Sequence, residues 1–277
     1  MSSFLAALTN PAVPFIRYAL IAGLLASASF GTVGSLVIVK RISYIAGAIS
    51  HASLAGLGAV VYFNEVRGWN LSPMAGAVVT ALSAAYVIAL ISRRNRERSD
   101  TVISTIWAVG MGIGLLFIAK TPGYTDPMSY IFGNILLLRK SDLILIAILD
   151  VVVLLSIIFL YRAFHAIAFD EEFARTRGLN TNFYETYLIL LTALTVVLML
   201  TTVGLVMVIA LLTIPAAMSA IFTNKLWQMM IGAVIIGMIL NTAGLIISYN
   251  LNFPTGSTTI VLAGISYLLL RVLKRKA

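Results

Sequence analysis

The chain has 277 residues, of which 60% are apolar and only 10% charged, with a mean hydropathy of +1.02. That is too little charge to clothe a soluble domain of this length, so the lipid bilayer is the solvent the chain is built for. The formal net charge of +9 gathers at the ends of apolar blocks, which argues for membrane orientation and against nucleic acid, and the absence of cysteine excludes disulfides and thiolate metal sites.

In chain order, apolar blocks cover residues 14–39, 44–63, 72–92, 101–119, 143–161, 186–203, 205–223, 226–249 and 256–271. Each approaches the ~20 residues needed to cross ~30 Å of hydrocarbon. The first is expected to be a retained spanning helix, because no basic segment precedes it and it is too long for a signal core. The stretch Pro127 to Leu138 is too short to span and is expected to be buried in protein as a re-entrant turn. Gly204 joins the sixth and seventh blocks, as a tight turn or as a break in one long helix, and Pro215 adds a kink. The expected fold is therefore all-α, a polytopic bundle of eight or nine spans forming one domain over residues 1–277.

Basic residues set the orientation. Lys40 and Arg41, Arg93 to Arg98, Arg162 to Arg177, Lys225, and Arg271 to Lys276 all fall on one side if nine spans begin with the N-terminus outside. That side is the cytoplasm, and its largest polar insert runs from about 162 to 185. Arg139 and Lys140 are the exception. Within the insert, Asp170, Glu171 and Glu172 come first and Arg175 and Arg177 last, the sense that complements a helix dipole, and Gly178 can end the helix. Phe169 and Phe173, four residues apart, make this segment either a docking knob or a helix resting on the membrane surface. The chain lacks G-x-x-x-x-G-K-[ST], so it does not cradle nucleotide phosphates by that device, and any ATP hydrolysis belongs to a separate subunit.

Few polar groups lie at depth. His51 is the only histidine inside a block, about 14 Å from the cytoplasmic end and near the bilayer midplane. An imidazole there needs a partner, water or a metal. Its helix is lined with small residues (Gly47, Ala48, Ala52, Ala55, Gly56 and Gly58), which permits close helix approach or a narrow polar path. Gly110-Met111-Gly112-Ile113-Gly114 likewise argues for tight helix contact. Asp150 is the only carboxylate well inside a block; it either lines the path or makes an interhelical bond as a neutral acid. Asn241, within the eighth block, and Asn252, in the turn after it, offer carbonyl oxygens to a cation or serve as helix glue and turn chemistry. The ten methionines are scattered, as packing requires.

Four stretches carry a family resemblance: Arg41-Ile42-Ser43-Tyr44-Ile45-Ala46-Gly47-Ala48-Ile49-Ser50-His51-Ala52, Phe132-Gly133-Asn134-Ile135-Leu136, Phe169 to Gly178, and Ser248-Tyr249-Asn250-Leu251-Asn252-Phe253-Pro254-Thr255-Gly256. Together they resemble the permeases of bacterial zinc/manganese/iron ABC importers over about residues 15 to 271. The resemblance implies a fold like the vitamin-B12-type importer permeases and a multi-pass place in the bacterial cell membrane. It implies a transport subunit rather than an enzyme, with no cofactor of its own and a divalent metal, zinc or manganese, as substrate. Implied partners are an ABC ATPase subunit, an extracytoplasmic metal-binding protein and a second permease copy. Residues 168–178 would be the coupling helix and His51 a path residue, with Asn241, Asn252 and Asp150 as further candidates. Many members carry aspartate where this chain has Gly47, and often where it has Asn252. The rival reading is a secondary transporter using His51 and Asp150 as a proton relay.

Overall fold

The computed structural model describes residues 14–94, 99–123 and 140–275, together with Phe4 and Leu8. The Phe132–Leu136 stretch, the expected re-entrant turn, and Arg96, Arg98, Arg139 and Lys276 lie outside the described residues. The helices are α1 (Pro14–Val39), α2 (Ser43–Arg67), α3 (Pro73–Arg94), α4 (Ser99–Lys120), α5 (Lys140–Phe169), α6 (Glu171–Thr176), α7 (Thr181–Val203), α8 (Leu205–Ser219), α9 (Leu226–Leu251) and α10 (Thr255–Arg275). Every described element is helical, as lipid demands of a backbone that must satisfy its own hydrogen bonds. Pro14 and Pro73 open α1 and α3, where a missing N–H costs nothing.

Among the described residues, seven helices are long and apolar enough to cross a membrane: α1 to α5, α9 and α10. That count is close to the expected eight or nine spans. At 15 residues α8 reaches only about 22 Å, short of the hydrocarbon thickness. It follows α7 directly through Gly204, whose φ of 87° and ψ of 155° form a backbone shape open essentially to glycine. The polar insert at 162–185 is not a free loop either. Ala163, Phe164 and Ile167 continue the buried face of α5 down to Phe169, and Asn180 caps α7 by accepting from the Phe183 N–H at 3.2 Å.

Two apolar cores share α7. One joins α1, α5, α8 and α9 through Phe30, Leu36, Phe164, Leu188, Leu212 and Met230; the other joins α2 and α3 through Ile49, Leu57, Ala81 and Ile88 to Ile189 and Leu200 on another face of α7. Small residues set the α2 contacts. A Cβ on Gly58 would stand 2.5 Å from the Gly114 carbonyl oxygen, and one on Gly110 2.5 Å from the Ala52 Cα. Backbone therefore meets backbone along α2 and α4, as the small-residue stripe and the G-x-x-x-G spacing predict. The outward faces of α5 and α10 carry Ile148, Leu155, Phe159, Val261, Leu268 and Val272, a surface suited to lipid rather than water.

Candidate functional site

His51 stands on the third turn of α2, and its ring stacks on the indole of Trp107 from α4 at 4.6 Å between centroids and 19° between planes. Its Nδ1 is buried and has no hydrogen-bond partner among the described residues. Trp107 also covers the position one turn before the histidine. A Cβ on Gly47 would lie 3.2 Å from the indole Cζ3, 3.4 Å from Cη2, and 3.9 Å from Cδ1 of Ile209. A side chain at 47 would press on that ring and ask it to give by a few tenths of an ångström. The neighbouring Ser50 hydroxyl is likewise buried without a partner. Sequence reasoning did not single out Trp107, because nothing local to α4 announces which ring it will meet across the bundle.

No three His, Cys, Asp or Glu side chains converge among the described residues. One imidazole beside an aromatic wall falls short of the three or four donors that hold a transition metal in place.

The other polar candidates face elsewhere. Asp150, buried on α5, accepts a hydrogen bond from the Ser29 hydroxyl of α1 through Oδ1, while its Oδ2 has no partner among the described residues. Asn241 on α9 donates through Nδ2 to the Ser27 hydroxyl at 2.9 Å and to the Gly23 carbonyl at 3.2 Å, both on α1. Asn252 is exposed and caps α9 in the left-handed region at φ 53°, a conformation that Asn and Asp tolerate better than other side chains. Its turn closes through Ser248, whose hydroxyl lies 2.6 Å from the Phe253 carbonyl and 2.8 Å from the Thr255 hydroxyl. Asp150 and Asn241 thus tie α1 to its neighbours, and neither is hydrogen-bonded to His51 Nδ1.

A second feature lies where α1, α5, α6 and α7 meet. Asp170 breaks the helix after Phe169 and caps α6, accepting from the Phe173 N–H at 2.9 Å. Phe169 and Phe173 therefore end one helix and occupy the next, rather than sharing a single helix face. Both remain exposed, at 62% and 54%. Arg177 lies over the Phe173 ring at 5.1 Å, and Arg175 pairs with Glu171 at 3.1 Å. Glu172 belongs to the first turn of α6, and Gly178 closes the segment at φ 84°. Ala174 is buried beneath it, so α6 is a short fixed knob with two aromatic rings outward. His165 packs against Phe169 at 4.8 Å, a supporting contact.

A multi-pass helical membrane protein, with a Trp-stacked imidazole inside and an aromatic knob at one end, is the class these features define. Comparison with known proteins gives the family. The model of the ABC 3 transport family matches residues 12–274, and the chain belongs to that family. It is 38% identical to an uncharacterised membrane protein of Synechocystis sp., covering 94% of this chain and 91% of that one. It is 32% identical to the manganese transport system membrane protein MntC of Listeria monocytogenes, covering 91% and 88%. Among solved structures, PsaBC from Streptococcus pneumoniae in complex with Fab matches with a TM-score of 0.85 at 29% identity, over 100% of this chain and 99% of that one.

Proposed function

We propose that the chain is the membrane permease of an ATP-driven importer for a divalent transition metal, manganese or zinc, with iron as a further candidate. One observation carries the reading: a near-full-length match to relatives named for metal and manganese transport, on a chain whose α2 histidine, His51, keeps a buried nitrogen with no hydrogen-bond partner among the described residues. Neutral imidazole suits zinc and oxygen donors suit manganese, and the relatives' names favour manganese.

In this reading the basic ends face the cytoplasm, and a separate ATPase subunit docks on α6 through Phe169, Phe173 and the flanking charges. ATP binding and hydrolysis there rock two permease copies between outward and inward states. An external binding protein delivers the ion, and His51 meets it on the path, stacked on Trp107. Asp150 and Asn241 act as interhelical clasps, and Asn252 as a helix cap.

Co-purification with the ATPase subunit, then metal uptake into proteoliposomes, tests the proposal. Metal accumulation should require the ATPase and ATP and should fall sharply in the His51→Ala complex. Accumulation that persists with no nucleotide-hydrolysing partner would instead support an ion-coupled transporter.

A further inference from the structure

Lys40 reads in the sequence as one more orienting cation, and the structure gives it a different place. Its side chain is only 10% exposed. The ammonium lies 3.4 Å from Glu171 Oε2 and 3.4 Å from Glu185 Oε1, and donates to the Ile167 carbonyl at 3.4 Å. Those partners are the first residue of α6, the second turn of α7 and the last turn of α5. One cation at the end of α1 thus gathers three other helices, one of them the exposed knob. Such a half-buried cluster is less screened than a surface pair, and loss of the cation would leave Glu171 to Arg175 and take from Glu185 its ion pair with Lys40.

The link from Lys40 towards His51 is short and stiff. Arg41 adopts the left-handed conformation at φ 58°, uncommon for a side chain of its size. The Ile42 N–H donates to the Val37 carbonyl at 3.0 Å and the Arg41 N–H to the Ile38 carbonyl at 3.1 Å. This 6→1 and 5→2 pair locks the end of α1. Helix α2 begins at Ser43, and His51 follows eight residues later, about 12 Å along its axis. A displacement of α6 therefore has a continuous path: Glu171 to Lys40, through a hydrogen-bonded corner, to the helix that carries the imidazole.

We infer that Lys40 is a positioning residue that couples α6 to the His51 helix, so that movement of the docking knob is passed to the translocation path. The inference rests on the importer reading and adds to it the residue that transmits the motion.

The test uses the full complex of permease, ATPase and binding protein in proteoliposomes, and reads manganese moved per ATP hydrolysed. The variants are Lys40→Met, Lys40→Arg and Glu185→Gln, the last chosen because Glu185 lies on α7 and outside the docking knob. Lys40→Met should assemble and hydrolyse ATP while metal moved per ATP falls by about tenfold, within the ordinary range of coupling between sites. Lys40→Arg should recover most of that loss, and Glu185→Gln should lower the ratio in the same direction as Lys40→Met. A ratio within about twofold of wild type in Lys40→Met overturns the inference. Should Lys40→Met not assemble, Glu185→Gln decides: an unchanged ratio overturns the inference and a reduced one supports it. Failure of both variants to assemble also overturns it, making the cluster a folding element. A wild-type complex that moves no metal would sink the importer reading itself, whereas variants matching an active wild type would sink only the role of Lys40.

Discussion

The interface of α2 with α4 and the seams of α1 with α5 and α9 both bury polar side chains among apolar helices, but they use them differently. Along α1 the polar groups are turned to neighbours: Asn241 gives its amide to Ser27 and Gly23, and Asp150 receives the Ser29 hydroxyl on one oxygen. At the other interface the helices hold together by glycine and alanine backbones, and the Nδ1 of His51 is left without a partner. A membrane interior penalises an idle polar atom, and the proposed function accounts for this one by placing His51 on the path. Asp150 stands between the two cases, with Oδ2 unpartnered.

That contrast breaks most severely if the glycine seam is filled. Gly58→Leu drives a side chain into the Gly114 backbone and should cost about 3 kcal/mol or more, read as loss of monodisperse protein after solubilisation. Gly112→Ala, with nothing within 4 Å of its added carbon, is the control and should purify normally. If both variants behave alike, backbone contact does not hold α2 to α4. His51→Ala should lower metal flux by about tenfold or more while thermal stability stays within about 1 kcal/mol of wild type. An unfolded variant, or a fully active one, would place the histidine with the clasps. Ser29→Ala should do the reverse, costing about 1 kcal/mol in thermal unfolding, the usual size of an interhelical bond in lipid, with flux retained. Flux lost without a change in stability would return Asp150 to the path.

Much of the helical plan was legible because a run of ~20 apolar residues in a bilayer has few alternatives. The ends were less so. Block 143–161 stops where Arg162 lowers the hydropathy, yet α5 continues to Phe169 because Ala163, Phe164 and Ile167 keep its buried face. The acids-first, bases-last order from Asp170 to Arg177 announced a short helix, but not that Asp170 would cap it and separate Phe169 from Phe173. His51 stood out by rarity, whereas Trp107 did not, since a tryptophan in an apolar helix is ordinary until its partner across the bundle is known. Lys40 was hidden for the same reason. Glu171 and Glu185 lie far along the chain, and no local spacing joins them to the end of α1.

The smallest effect concerns Asn252. Its left-handed backbone and its place at the end of α9 are enough to account for an asparagine there, with no role for the side-chain oxygen. Asn252→Gly keeps that backbone at no steric cost, so it should shift stability by only a few tenths of a kcal/mol and leave metal flux unchanged. Asn252→Val cannot adopt it without strain and should lose about 1 kcal/mol in thermal unfolding. If glycine abolished flux while the unfolding temperature held, the oxygen of Asn252 would be meeting the ion. The polar groups that serve the path would then extend beyond His51 to the turn between α9 and α10.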